Sequence, residues 1–169
     1  EQFKVMEQTR ISVFIPTYNE EKKISSSLRS IPDFIDEIII YDKGSKDKTV
    51  EIARNFKKVI IKKIPFSNRG EENFKEIIKF SKNEWVFFMT AGEILPENIF
   101  QKINQAINDY PENELIMVPR EMFIFQSHFK KSPWGIQYYP FCFKKDKIKF
   151  NKNVHESFYV ENEKKKYFL

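Results

Sequence analysis

Polar side chains that could do chemistry are concentrated in four short segments of this chain, each of which follows an apolar run. They are residues 16–20, 42–47, 65–70 and 90–93. Together they offer aromatic rings, carboxylates and a guanidinium, the groups that orient a polar ligand in a pocket. A fifth candidate near the C-terminal end, His155 with Glu156, offers an imidazole and a carboxylate, both common proton-transfer groups.

The elements that must position these residues follow from the apolar pattern. Five nearly continuous apolar runs predict strands at residues 11–15, 37–41, 59–61, 85–89 and 115–118. Between them, apolar residues with a 3.6-residue period predict helices. These residues are Ile24, Leu28 and Ile31; Ile52, Ala53 and Phe56; Phe74, Ile77, Ile78 and Ser81; and Ile99, Ile103, Ala106, Ile107 and Tyr110. The alternation predicts an α/β fold with a mostly parallel sheet. In such a sheet ligands bind outside the carboxyl ends of the strands, so the four polar segments should share one edge.

After Pro119 the pattern changes to short aromatic and Lys-rich segments at residues 122–125, 138–143 and 157–160. Proline and glycine interrupt them, which is typical of β-structure, here expected to wrap onto the end of the sheet. We therefore predict a single domain over residues 1–169, with a βα half at 11–119 and a β-rich part at 120–160. Because the chain starts at Glu1 without Met, we expect it to be excised from a longer chain.

Composition limits the alternatives. With 169 residues, of which 41% are hydrophobic, the chain can form one sizeable core. Its net charge of +5 is spread along the chain and could suit a phosphorylated substrate or an anionic membrane face. There is no recognised nucleic-acid motif, so we expect no nucleic-acid partner. A single cysteine, Cys142, and the lack of a signal-peptide pattern or a long apolar run predict a cytoplasmic protein.

Four motifs occur in order along the chain: IPTYNEE at 15–21, EIIIYDKGSKDKT at 37–49, WVFFMTAGE at 85–93 and NVHES at 153–157. Together they resemble the family 2 glycosyltransferases of the GT-A fold. The resemblance is greatest to the branch of lipopolysaccharide-core glucosyltransferases and peptide S-glycosyltransferases, and it covers residues 11 to 158. It implies transfer of a sugar from a nucleotide diphosphate, with UDP expected, to an acceptor hydroxyl or thiol with inversion at the anomeric carbon.

The resemblance also implies partners. The donor is a nucleotide-diphosphate sugar, and the acceptor is a carbohydrate, a lipid-linked saccharide or a peptide. Cell-envelope polysaccharide synthesis, with peripheral association at the inner face of the membrane, is the expected setting.

Several site residues can be carried over from the family. In the first loop, Pro16 and Tyr18 occupy the positions that grip the base, and Glu20 of the same loop is expected to contact the nucleotide sugar. Asp42 occupies a position where a carboxylate accepts from the uracil imide or the ribose hydroxyls. An alternative for Asp42 is to shape a turn, with Asp47 capping the next helix.

The negatively charged diphosphate also needs polar or cationic side chains that contact it. Asn73 matches an asparagine of the relatives, while Glu72 replaces their usual arginine. The cation available on the preceding turn is Arg69, for which a solvated surface position is an equal alternative.

The fourth motif departs from the family. Relatives read Asp-Ala-Asp-Glu there, and their carboxylates bind Mg²⁺ or Mn²⁺; this chain has Thr90-Ala91-Gly92-Glu93. Hard cations need charged oxygen ligands, so Glu93, helped by His155, is the remaining candidate for the metal. Glu156 is the candidate base or acceptor contact, and His155 is the candidate metal or phosphate contact.

Two hypotheses follow. In the first, the domain is an active glycosyltransferase in which Glu93, His155 and the Lys-rich rim replace the lost aspartates. In the second, it is a degenerate module that keeps the nucleotide pocket and serves in sugar binding or scaffolding.

Overall fold

The computed structural model describes residues 8–66, 78–121, 123–124, 127–128, 135–150 and 158–169. All five predicted strands are confirmed. They are β1 (Ile11–Thr17), β2 (Glu37–Asp42), β3 (Val59–Lys63), β4 (Trp85–Phe88) and β5 (Leu115–Arg120). Three of the predicted helices are also confirmed, as α1 (Ile24–Arg29), α2 (Thr49–Arg54) and α3 (Ile99–Asp109). Phe74 and Ile77, in the remaining predicted helix, lie outside the described residues.

Within the described residues, the C-terminal part adds six further strands. These are β6 (Phe123–Ile124), β7 (Ser127–His128), β8 (Gln137–Lys144), β9 (Lys149–Phe150), β10 (Phe158–Tyr159) and β11 (Lys166–Phe168). The main sheet has seven strands in the order β11-β5-β8-β4-β1-β2-β3. All of its pairings are parallel except those of β8, which is antiparallel to both β4 and β5.

The expectation that the C-terminal segments wrap onto the end of the sheet was wrong for β8, which lies inside the sheet. Its side chains show why. Cys142 packs in the core on one face of the sheet and Phe143 packs in the core on the other, and both are fully buried. A strand that is buried on both faces belongs in the interior of a sheet. Burial also raises the pKa of the Cys142 thiol.

The sheet has a hydrophobic core on each face, which explains why the apolar runs of its strands are continuous. In β1, Val13 and Ile15 pack with α1 and α3 on one face, while Phe14 packs with Ile39 and Tyr41 of β2 on the other. Each large apolar side chain buried in this way contributes about 1.5–3 kcal/mol. None of the helices in the described ranges has the length and apolar character to cross a bilayer.

A buried polar network ties the amino ends of the strands together. Ser12 donates from its hydroxyl to the carboxylate of Glu37. The hydroxyl oxygen of Ser12 accepts from Ser81 Oγ at 2.9 Å and from Asn83 Nδ2 at 3.0 Å. Glu37 Oε2 also accepts a hydrogen bond from the backbone N–H of Lys82, at 3.1 Å. This network fixes the edge opposite the polar loops, so it positions strands and does not contribute to the candidate site.

Candidate functional site

The loops that follow β1 and β2 are bound to each other at the carboxyl edge of the sheet. Asn19, with a positive φ of 55°, donates its backbone N–H to Ser45 Oγ at 2.9 Å and accepts from Lys46 N at 2.8 Å through its side chain. The backbone N–H of Glu21 donates to Asp47 Oδ2 at 3.0 Å. Side-chain hydrogen bonds to backbone groups hold such loops in one conformation. The two loops therefore form one preorganised unit.

Asp47 is part of this unit and also serves the start of α2. Its Oδ1 accepts from the backbone N–H of Thr49 at 3.0 Å and from the hydroxyl of the same residue at 2.5 Å. Desolvation acts to raise the pKa of Asp47, but the hydrogen bonds from Thr49 and from the N–H of Glu21 outweigh it and hold the pKa below its ordinary value. Asp47 therefore accepts from the first residue of α2, although the N-cap position itself is Lys48, whose side chain makes no capping hydrogen bond.

Asp42 is only 1% exposed, and its carboxylate accepts hydrogen bonds from β1 and from its own loop. Oδ1 accepts from Thr17 Oγ1 at 3.0 Å and from Ser45 Oγ at 2.5 Å, and Oδ2 accepts from the N–H groups of Gly44 and Ser45 at 3.1 and 2.9 Å. Gly44 adopts a φ of 86°, which suits a residue without a side chain. The turn-shaping alternative for Asp42 is thus what the geometry displays, while its contact with a base or ribose stays a prediction.

An exposed aromatic pair marks the same edge. Tyr18 directly follows β1 and is 42% exposed, and Phe66, in the loop after β3, is 58% exposed. Their ring centroids are 4.9 Å apart and the planes are inclined by 54°. Pro16 is half-buried on β1 opposite Tyr41. The sequence patterns pointed to Tyr18 and Pro16 but not to Phe66, although Phe66 lies in one of the four polar segments.

Glu20 is half-buried between these loops and α1. Its backbone N–H donates to Thr49 Oγ1 at 2.7 Å, and its carboxylate lies 3.5 Å from Lys23 Nζ. In the described structure Glu20 therefore connects the first loop to α2 and to α1. Its predicted contact with a nucleotide sugar stays a prediction.

The loop that follows β4 is a tight turn. The N–H of Glu93 donates to the carbonyl of Thr90 at 3.1 Å, and Gly92 between them has a φ of +100°. A positive φ at this position is the requirement of a type II turn and favours glycine. The N–H of Gly92 donates to Ser27 Oγ of α1 at 2.8 Å, and a Cβ on Gly92 would lie 3.1 Å from Lys23 Cδ. The turn therefore requires glycine at a position where the family resemblance implies an aspartate.

Glu93 contacts a guanidinium from another strand. Its Oε2 accepts from the N–H of Thr90 at 2.6 Å, and its Oε1 lies 2.9 Å from Nε of Arg120. These two charges form a close ion pair, although the Nε–H does not point along the line of a hydrogen bond. Arg120 also lies over the ring of Tyr139, with Cζ 5.6 Å from the centroid. Tyr139 in turn stacks on Phe141 at 5.1 Å.

The sequence patterns pointed to neither Arg120 nor Tyr139. A signal for Arg120 existed, because the rule that selects the carboxyl ends of parallel strands applies equally to the fifth predicted strand. No comparable signal existed for Tyr139. Its place beside Arg120 depends on the antiparallel insertion of β8 between β4 and β5.

A divalent cation does not fit the residues described at this loop. Thr90 and Gly92 offer no carboxylate, and both oxygens of Glu93 already contact Thr90 N–H or Arg120. Across the described ranges, no group of three or more His, Cys, Asp and Glu side chains could hold a metal ion. The other predicted site residues, Arg69, Asn73, His155 and Glu156, lie outside the described residues.

Solved structures share this architecture. Residues 1–349 of TarS from Staphylococcus aureus superpose with a TM-score of 0.60 at 17% identity, covering 81% of this chain and 47% of that one. Glucosyl-3-phosphoglycerate synthase from Mycobacterium tuberculosis, in a complex with Mn²⁺, UDP and glucosyl-3-phosphoglycerate, gives a TM-score of 0.53 at 22% identity, covering 65% of this chain and 43% of that one. These likenesses show that the fold is GT-A.

Relatives are also found by sequence. The SPbeta prophage-derived glycosyltransferase SunS of Bacillus subtilis is 29% identical over 155 residues, which are 86% of this chain and 34% of SunS. An uncharacterised glycosyltransferase of Rickettsia typhi is 28% identical over 123 residues, 73% of this chain and 41% of the relative. This chain thus spans less than half the length of both relatives. The profile of Glycosyl transferase family 2 matches residues 12–160, and the chain belongs to that family.

Proposed function

We propose that this domain binds a nucleotide-diphosphate sugar, with UDP as the nucleotide, at the carboxyl edge of the sheet and transfers the sugar to an acceptor with inversion. The observation that carries the proposal is the exposed pair of Tyr18 and Phe66 at that edge. Two large rings left in solvent beside each other forgo the burial that usually stabilises aromatic side chains. A planar base placed against such a surface gains about 1–3 kcal/mol from stacking.

The loops beneath the aromatic pair support the same proposal. Asn19, Asp42 and Asp47 hold the β1 and β2 loops in one conformation before any ligand arrives. A preformed site reduces the entropy that binding must otherwise overcome. Asp42 and Glu20 act in this proposal chiefly by shaping the loops, and Pro16 and Tyr18 contact the base.

Relatives supply further support. TarS has been solved in complex with UDP-GlcNAc and with UDP, and the mycobacterial synthase with UDP. For this chain we retain Arg69 and Asn73 as diphosphate contacts and Glu156 as the base that takes the acceptor proton. Residues 120–160 form the acceptor side, with a carbohydrate, lipid-linked saccharide or peptide as acceptor. We place the reaction in the cytoplasm.

Calorimetry tests donor binding. We expect UDP to bind the unmodified protein and Tyr18→Ala or Phe66→Ala to weaken that binding about fivefold or more, because each removes part of the stacking surface. Phe34→Ala is the matched control, since Phe34 is an exposed ring in the connection that leads into the amino end of β2. Equal UDP affinity in all three variants would contradict the proposed pocket.

Activity distinguishes the two hypotheses that follow from the sequence. The absence of aspartates at Thr90 and Gly92 favours a second candidate function, a non-catalytic module that binds nucleotide sugars. Incubation with a panel of UDP-sugars, with Mg²⁺, with Mn²⁺ or with chelator, separates the two. Transfer or hydrolysis that Glu156→Gln abolishes supports the enzyme, whereas UDP binding without turnover under all conditions supports the module.

A further inference from the structure

We infer that the guanidinium of Arg120, positioned by Glu93 and Tyr139, takes the role of a divalent cation and binds the diphosphate of the donor. This inference rests on the proposed function, because it names the positive charge that would contact the donor diphosphate at the carboxyl edge of the sheet. It replaces the expectation that Glu93 is a metal ligand.

The topology brings Arg120 to the correct edge. Arg120 is the last residue of β5, and β5 runs in the same direction as β4 because β8 is antiparallel to both. Its side chain therefore emerges where the β4 loop begins. In the sheet, β5 is three strands from β1, so their carboxyl ends are about 14 Å apart at the usual spacing. That separation suits a nucleoside diphosphate whose base lies on Tyr18 and whose phosphates extend towards β5.

The charge balance of the loop argues against a metal. Glu93 is the acidic residue of the turn, and its negative charge is already matched by Arg120 at 2.9 Å. A divalent cation bound to Glu93 would have to displace the guanidinium and would then be repelled by it. The side chain of Glu93 is only 16% exposed, which strengthens both the existing attraction and this repulsion.

The geometry of Arg120 suits a phosphate. A guanidinium has five N–H donors in a planar fork that matches phosphate oxygens in pairs. Here Nε lies 2.9 Å from Glu93 Oε1, and the ring of Tyr139 lies 5.6 Å from Cζ. The side chain is still 42% exposed, so part of the fork is accessible to a ligand. Glu93 and Tyr139 are thus positioning residues that hold the fork, and Arg120 is the residue that contacts the donor.

The role in transfer follows from where charge develops. The bond between the anomeric carbon and the β-phosphate oxygen breaks, and its electron pair stays on that oxygen. The acceptor oxygen or sulfur forms the new bond to the anomeric carbon, and its proton passes to a carboxylate, for which Glu156 is our candidate. The nucleoside diphosphate leaves with additional negative charge, and a fixed guanidinium stabilises that charge without a metal.

Binding of UDP and of uridine, each with EDTA and with Mn²⁺, tests the inference by calorimetry. The unmodified protein is expected to bind UDP in EDTA, with an affinity that Mn²⁺ changes less than about twofold. Arg120→Gln is expected to weaken UDP about tenfold or more, because hydrogen bonds to a charged group are lost, and to leave uridine binding unchanged. Arg120→Lys should recover part of the loss, since it keeps the charge but not the fork. Arg10→Gln is the matched control, because Arg10 is an exposed arginine just before β1 at the opposite edge.

Glu93→Gln gives a second measurement that does not depend on the Arg120 variants folding. We expect it to weaken UDP binding in EDTA, because the guanidinium loses its positioning partner, while a metal ligand would affect UDP only when Mn²⁺ is present. UDP binding that requires Mn²⁺, or that Arg120→Gln leaves unchanged, would overturn the inference and leave the proposed function intact. A protein that binds neither UDP nor uridine would overturn the proposed function itself.

Discussion

The hydroxyl oxygen of Ser27 in α1 accepts a hydrogen bond from the backbone N–H of Gly92 at 2.8 Å, and this contact fixes the turn after β4 against the first helix. The turn is stabilised both by this contact with α1 and by its internal hydrogen bond from the N–H of Glu93 to the carbonyl of Thr90. The turn therefore has one defined conformation, and that conformation requires glycine at position 92.

Restoring the family carboxylates should fail to rebuild a metal site. Gly92→Asp, combined with Thr90→Asp, puts a side chain at a φ of +100° and its Cβ 3.1 Å from Lys23 Cδ. We expect a loss of about 1–3 kcal/mol in the free energy of unfolding, measured by urea denaturation, because that backbone conformation disfavours side chains. Mn²⁺ affinity should not rise.

Thr90→Asp alone is the control, since Thr90 does not have a positive φ. It should be close to the unmodified protein in stability. A double variant with unchanged stability and tight Mn²⁺ binding would show that the turn can still adopt a metal-binding shape.

Asp42→Ala should disorder the donor loops. The substitution removes the acceptor for Thr17, Ser45 and the N–H of Gly44. We expect a loss of about 2 kcal/mol or more in the free energy of unfolding, because buried donors are left without partners. UDP affinity should fall with it. The exposed Asp33 offers the control Asp33→Ala, and a similar small effect for both variants would mean that the loops do not depend on Asp42.

Asp47 should make stability sensitive to acid. Its pKa in the folded protein is held below the ordinary value of 3.8, so its contribution is fully present above that pH and is lost as the pH falls through the lower folded pKa. Asp47→Asn should therefore be less stable than the unmodified protein at pH 7, with a difference that shrinks below about pH 3.8. Urea midpoints across this range measure it. A difference that stays constant with pH would show that the charge of Asp47 is not involved.

The network at the amino edge should be important for stability but not for binding. Glu37→Ala leaves Ser12 and the N–H of Lys82 without their acceptor in a buried setting. We expect the free energy of unfolding to fall by about 2–4 kcal/mol, and Glu37→Gln to fall less because one side-chain oxygen can still accept. UDP affinity, measured below the unfolding transition, should be unchanged in Glu37→Gln. A reduced affinity there would indicate that the two edges are coupled.

The positions of the strands and the edge that carries the site could be predicted from residues alone. Apolar runs such as that of β1 mark strands covered on both faces, and the polar residues Tyr18 and Asp42 follow such runs directly. These are local features, because burial on both faces requires apolar residues at every position of the strand.

Only the tertiary structure decided which of these residues meet. Cys142 and Phe143 pack on opposite faces of the sheet because β8 is an interior strand, but their local sequence does not specify that its neighbours are β4 and β5. The insertion of β8 places Tyr139 beside Arg120, and the common direction of β4 and β5 brings Arg120 to Glu93. Such contacts join residues far apart in the chain, and their energies depend on distance and burial in the folded state. A sequence pattern contains neither quantity, which is why the ion pair of Glu93 with Arg120 could not be predicted.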